Sequence, residues 1–184
     1  AHDGAPRLLV IGGSQGARAL NAHVPQALAL LPEAARPQVR HQAGRTLDVA
    51  QAAYRDAGVA GEVTAFIDDM PGAFAWADLV VCRAGASTVA EVGAAGNATV
   101  LVPFPAAVDD HQTKNAEYLV QAGAAVLLPE SAMTPAVLAA TVQRLLGDRA
   151  KLTAMAEAAR GKAWSGATKT IADACIAAAS GVRQ

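Results

Sequence analysis

The sequence predicts an α/β fold in which a doubly wound parallel sheet of about six strands is covered by helices on both faces. Three observations lead there. Short runs rich in Val and Leu recur at Leu8–Ile11, Val39–His41, Val63–Ile67, Leu79–Cys82, Thr99–Val102 and Ala125–Leu128. Segments of helical length separate them, and strands alternating with helices specify a parallel sheet. The separating segments carry apolar residues at helical spacing, as in Leu20, Val24, Ala27, Leu28 and Leu31, or Val137, Leu138, Val142, Leu145 and Leu146.

With 184 residues, 53% of them hydrophobic, the chain is sized for one domain with a substantial core, here taken as residues 1–184. Thr134 followed by Pro135 reads as a helix start, with Thr capping and Pro in the first turn. Breaks at Gly147–Asp148 and Ser165–Gly166 then give three consecutive helices to the C-terminus. That tail departs from alternation and is expected either to pack along the sheet or to meet another domain. The chain begins without Met and enters its first strand at Arg7, as a domain cut from a longer polypeptide would, although initiator removal before Ala1 gives the same start.

A net charge of −1, with both signs interspersed, provides no electrostatic footprint for nucleic acid, so no nucleic-acid partner is expected. No apolar run reaches the roughly 18 residues of a membrane span, and no signal peptide is apparent. A soluble chain is expected. Cys82 and Cys175 lie far apart in apolar stretches and read as buried reduced thiols, which suits a cytoplasmic setting.

Ligands of open parallel sheets bind beyond the carboxyl ends of the strands, where helix N-termini offer free N–H groups and partial positive charge. The first such loop, Gly12-Gly13-Ser14-Gln15-Gly16-Ala17-Arg18, permits close backbone approach, and Ser14 is placed to cap a helix or bond a phosphate. It is neither a dinucleotide fingerprint nor a Walker loop, and His41-Gln42 stands where a dinucleotide fold carries an acidic residue. A nicotinamide-dependent oxidoreductase therefore has little support.

The loop Arg83-Ala84-Gly85-Ala86-Ser87-Thr88-Val89-Ala90-Glu91 sets N–H groups and two hydroxyls at a helix start, with Glu91 a turn further on. A diphosphate there gains roughly 0.3–1 kcal/mol from the helix dipole besides its hydrogen bonds. Glu91, an acceptor, suits a vicinal diol such as ribose rather than a phosphate. Ser87 to Glu91 equally fits a ligand-free capping arrangement. Phe66-Ile67-Asp68-Asp69-Met70 reads as an Asp-capped helix start with a core methionine, or as part of a site. Asp109-Asp110-His111 offers too few converging ligands for a metal. His2, His23 and His41 have no partner assignable from sequence.

Taken in order, the segments at 12–18, Asn21, His41-Gln42-Ala43-Gly44, 66–70, 83–91 and Asp110-His111-Gln112-Thr113-Lys114-Asn115-Ala116 resemble the C-terminal half of the MurG family across essentially the whole chain. That family transfers N-acetylglucosamine to a lipid-linked N-acetylmuramyl-pentapeptide in peptidoglycan synthesis. The resemblance implies a Rossmann-like domain, the C-terminal donor half of a GT-B glycosyltransferase, with no metal or cofactor and UDP-N-acetylglucosamine as donor substrate. It implies that Ile67 reads the uracil edge through its backbone, that Phe66 and Met70 wall the base, and that Glu91 takes the ribose hydroxyls. Ser14, Ser87 and Thr88 would hold the diphosphate, while the Ala86 backbone, His111 and Gln112 face the sugar. His111 departs from the Gln common in the family. No catalytic residue is expected in this chain. The lipid-linked acceptor, a missing N-terminal domain and a place at the inner face of the cell membrane belong to the full-length enzyme. The isolated chain is expected to bind and not to catalyse; the alternative is a stand-alone UDP-sugar-binding module or a subunit that pairs with a separate acceptor-domain chain.

Overall fold

A computed structural model describes residues 4–13, 15–105, 110–163 and 166–180. Six strands, β1 (Arg7–Ile11), β2 (Gln38–Gln42), β3 (Glu62–Thr64), β4 (Leu79–Cys82), β5 (Ala98–Leu101) and β6 (Ala125–Leu127), form one sheet in the order β3-β2-β1-β4-β5-β6. Every pairing is parallel. All six expected strands are present. β5 and β6 each stop one residue before the end of their apolar runs, and β3 departs most, because the chain leaves the sheet after Thr64 and the rest of Val63–Ile67 becomes loop.

Strand alternation divides the core in two. Leu8 and Val10 of β1, with Leu79 and Val81 of β4, face one side, while Leu9, Ile11, Val80 and Cys82 face the other. The first side is covered by α1 (Arg18–Ala29), α2 (Leu47–Ala57) and α6 (Pro135–Leu146), through residues such as Leu20, Val24, Tyr54, Leu138 and Val142. The second is covered by α3 (Met70–Trp76), α4 (Ala86–Ala95) and α5 (His111–Val120), through Phe74, Val89, Val92, Ala116 and Leu119. The sheet is thus doubly wound, and its order reverses between β1 and β4.

The tail forms α7 (Arg149–Lys162) and α8 (Ala167–Ala179), as the breaks predicted. α7 belongs to both cores: Leu152 and Met155 join the first, Ala159 the second. Its start is fixed where β4 begins, Arg149 pairing with Asp78 at 3.1 Å. At its other end the Tyr118 hydroxyl donates to the Lys162 carbonyl at 2.9 Å. α8 buries no residue, so the expectation of two buried thiols is half right: Cys82 is buried and Cys175 is exposed. Apolar composition alone does not bury a helix that has no surface to lie on.

Thr134 caps α6 as expected, its hydroxyl accepting from the Val137 N–H at 3.2 Å with Pro135 in the first turn. Thr134→Ala should lower the unfolding free energy by about 1 kcal/mol, read from the shift of a urea transition at unchanged slope.

Candidate functional site

The loops after β1 and β4 diverge at the point where the strand order reverses, which opens a crevice at the C-terminal edge of the sheet. α4 begins there without a side-chain cap. Its N-cap is Gly85 (φ −63°, ψ 149°), and the first intrahelical bond runs from the Val89 N–H to the Gly85 carbonyl at 2.9 Å. The capping reading of Ser87 to Glu91 is thereby corrected: Ser87 and Thr88 lie inside the first turn, so the N–H groups of residues 86–88 have no partner within the helix. Ser87 is exposed and Thr88 half-buried. A Cβ on Gly85 would meet nothing nearer than the Thr88 hydroxyl at 3.8 Å, and its φ is ordinary, so the fold itself does not demand glycine here. The space it leaves open faces the free helix start.

Glu91 is exposed on α4. Burial first, and the Glu91 charge second, push the Cys82 thiol up to about 12, so that thiol stays protonated and unreactive.

Beside this helix start lies an open cleft of about 590 Å³, walled by the glycine turn (Gly12, Gly13, Gln15, Gly16), Thr46, Arg83, Phe104 and Gln112. Gln112 is tethered, its carboxamide oxygen accepting from the Phe104 N–H at 2.9 Å. Arg83, a tempting phosphate ligand, is otherwise engaged: it donates to the Val102 and Pro103 carbonyls at 3.3 and 3.2 Å and pairs with Glu130 at 2.5 Å. Its guanidinium also lies 5.4 Å from the centre of the Phe104 ring. Arg83 therefore fastens three loops together and has little charge left for a ligand.

Asp69 caps α3 by accepting from the Gly72 N–H at 2.9 Å, while Ile67 and Met70 are half-buried against the second core. Phe66 is 60% exposed and turned away from any core. An apolar side chain so placed, next to the half-buried Ile67 backbone, suits the face of a planar ligand. Asp110 sits at φ 53° before α5 and accepts from the Thr113 hydroxyl at 2.7 Å, and His111 follows as an exposed first residue of the helix. Ser14 and Asp109 lie outside the described residues. Among those described, no three His, Cys, Asp or Glu side chains gather as metal ligands.

The residues singled out by sequence thus share one edge of the sheet but not one cavity. Gln112 lines the cleft with the glycine turn, whereas Phe66, Ile67, Met70, Ser87, Thr88 and Glu91 lie outside that cleft along the same edge. What sequence reasoning missed is the wall: Thr46, Arg83, Phe104 and Glu130. The visible signal was an Arg directly after a four-residue buried strand, a position that demands a partner.

The glycosyltransferase family 28 C-terminal domain matches residues 7–173, from β1 into α8. The chain belongs to that family. This family 28 domain is 57% identical to the UDP-N-acetylglucosamine–N-acetylmuramyl-(pentapeptide) pyrophosphoryl-undecaprenol N-acetylglucosamine transferase of Nitrosococcus oceani, over 98% of this chain and 51% of that protein. It is 55% identical to the transferase of the same name from Marinobacter nauticus, over 95% of this chain and 48% of the relative. Among solved structures, MurG from Acinetobacter baumannii superposes with a TM-score of 0.84 at 44% identity, covering 93% of this chain and 52% of that one. The resemblance to MurG read from the motifs holds, and with it the assignment of the fold to the C-terminal half of a GT-B transferase. The chain spans about half the length of the relatives it matches. No helix among the described residues is long and apolar enough to cross a membrane.

Proposed function

We propose that this domain binds UDP-N-acetylglucosamine as the donor half of an inverting transferase that glycosylates a pyrophosphoryl-undecaprenol-linked N-acetylmuramyl-pentapeptide. The observation that carries the proposal is the uncapped start of α4 at the strand-order reversal, followed one turn later by an exposed carboxylate. A helix start with free N–H groups suits a diphosphate, and an acceptor beyond it suits a ribose diol. Phe66, Ile67 and Met70 hold the base from the neighbouring loop. Ser14 joins Ser87 and Thr88 on the diphosphate, while Ala86, His111 and Gln112 meet the sugar. The names of the relatives support this choice of substrates, and an acceptor site in a further domain accords with a chain that spans about half of their length.

In that enzyme an acceptor hydroxyl, deprotonated by a base of the other domain, attacks the anomeric carbon with inversion. The bond to the diphosphate breaks and UDP leaves. This chain holds the donor and stabilises charge growing on the diphosphate through Ser87, Thr88 and the α4 dipole, without metal or cofactor. The full-length enzyme works at the inner face of the cell membrane.

Calorimetric titration of the chain with UDP-N-acetylglucosamine, UDP, UDP-glucose and NAD tests the proposal. Saturable binding of the UDP compounds without NAD is expected, with preference for the acetylated sugar. No UDP binding by the folded chain would remove the donor reading. Glu91→Ala should weaken UDP by about tenfold or more, the scale of losing charge-assisted hydrogen bonds, and leave inorganic pyrophosphate unaffected. Equal losses for both ligands would refute the diol role.

A further inference from the structure

Beneath the first two loops lies a chain of buried hydrogen bonds that donor binding as proposed does not use. His41 of β2 is fully buried, its Nε2 2.9 Å from the Asn21 Oδ1 of α1 and its Nδ1 3.1 Å from the Tyr54 hydroxyl of α2. Asn21 Nδ2 donates to the Ala43 carbonyl at 3.0 Å and to the Thr46 hydroxyl at 2.7 Å. With its amide group so engaged, Asn21 can only accept from His41. Nε2 therefore carries the imidazole proton, and Nδ1 accepts from Tyr54.

The segment this chain grips is wedged between two parts of the site. On one side, added Cβ atoms at Gly16 and Gly44 would overlap the opposite loop, 2.4 Å from the Thr46 hydroxyl and 2.4 Å from the Gly13 carbonyl respectively. The glycine turn and the 43–46 segment thus touch backbone to backbone. On the other side, the Ala43 and Gly44 N–H groups donate to the Thr64 and Ala65 carbonyls at 2.8 and 3.1 Å, at the root of the loop that carries Phe66 and Ile67.

We infer that Asn21, oriented by His41, is a positioning residue that sets the glycine turn after β1 against the loop after β3, fixing the separation at which diphosphate and base are gripped. This rests on the donor reading above. Apolar residues of matching shape often fill a buried site at no loss of stability, whereas a satisfied polar network fixes orientation. The loop after β3 has anchors of its own in Ile67, Met70 and the Asp69 cap. Loss of the network should therefore displace the diphosphate grip and spare the nucleoside grip.

The test measures dissociation constants of the chain for UDP by calorimetry and for uridine by competition, with thermal midpoints, in wild type, Asn21→Ala, Thr46→Val and Thr46→Ser. Asn21→Ala and Thr46→Val should each weaken UDP by about tenfold and uridine by less than about twofold, because only the joined ligand depends on the separation. Thr46→Ser, which keeps the hydroxyl, should restore UDP binding. Thr46→Val alters a single half-buried hydroxyl and keeps the test decisive if Asn21→Ala does not fold. Parallel losses for UDP and uridine, or unchanged UDP binding by folded Thr46→Val, would overturn the inference. A wild-type chain that binds no UDP would instead sink the donor reading, a distinct result.

Discussion

Gly44→Ala should abolish UDP binding and lower the unfolding free energy by about 3 kcal/mol or more, as measured by calorimetry and urea denaturation. Two effects combine. Gly44 has φ +62°, a conformation that costs a residue with a Cβ roughly 1–2 kcal/mol. The added methyl would also lie 2.4 Å from the Gly13 carbonyl and from the Gly16 nitrogen, and 2.7 Å from the Gly16 Cα. These are backbone atoms, which cannot swing aside as a side chain does, and overpacking of this kind adds about 1–3 kcal/mol. Relief requires the glycine turn and the 43–46 segment to separate, so the phosphate side of the site moves with the damage. Gly58→Ala is the control. Gly58 has nearly the same φ, +64°, at the end of α2, but its Cβ would meet nothing within 4 Å. It should lose only the backbone cost, about 1 kcal/mol, and bind UDP normally. Equal losses at the two glycines would mean that backbone conformation, not loop-to-loop contact, is what Gly44 supplies.

The fold was legible because its signals are local. Each strand is a short apolar run flanked by polar or glycine residues, and parity along β1 alone assigns Leu8 and Val10 to one face, Leu9 and Ile11 to the other. Thr134-Pro135 announced α6 through the capping chemistry that the structure displays. The failures occurred where apolar character serves something other than the core. Phe66 extended the predicted β3 because periodicity cannot separate a strand residue from an exposed loop residue of the same polarity. Cys175 was placed inside for the same reason, on a helix whose Ile171 and Ile176 are 62% and 64% exposed.

The candidate site was legible one loop at a time. Gly85 to Glu91 marked a helix start whose N–H groups proved to be free, and Asp69 capped α3 as its position suggested. What sequence could not supply was contact between elements far apart in the chain. His41 had no assignable partner because Asn21 and Tyr54 lie 20 and 13 residues away, on two different helices. Parity does put His41 on the same face as Val39, towards α1 and α2, but which polar residues wait there depends on how those helices pack. Arg83 illustrates the same limit: its neighbours in sequence gave it no role, and its neighbours in space, Glu130 and the Val102 and Pro103 carbonyls, occupy it.

His41 should also make the domain acid-sensitive, losing about 3 kcal/mol of stability as pH falls from 6.5 to about 4. Burial lowers its pKa from 6.5 to about 4, because the imidazolium would be stripped of water without gaining a counter-charge. The network reinforces neutrality: protonation would place an N–H on Nδ1, forcing the Tyr54 hydroxyl to turn its own proton into a buried site. Between those two pH values the unfolded chain takes up a proton that the folded chain refuses, so acid favours unfolding; above 6.5 both states are neutral at this position and the slope vanishes. Urea titrations across this range should show the decline, at up to about 1.4 kcal/mol per pH unit. Carboxylates add their own dependence near the acid end, so the informative quantity is the difference from His41→Gln. That variant keeps a hydrogen-bonding side chain and does not titrate. It should be less stable than wild type at pH 7, where the imidazole network is intact, and should close that gap on acidification. Parallel pH profiles for the two proteins would show that His41 is not the buried base, whatever the geometry around it.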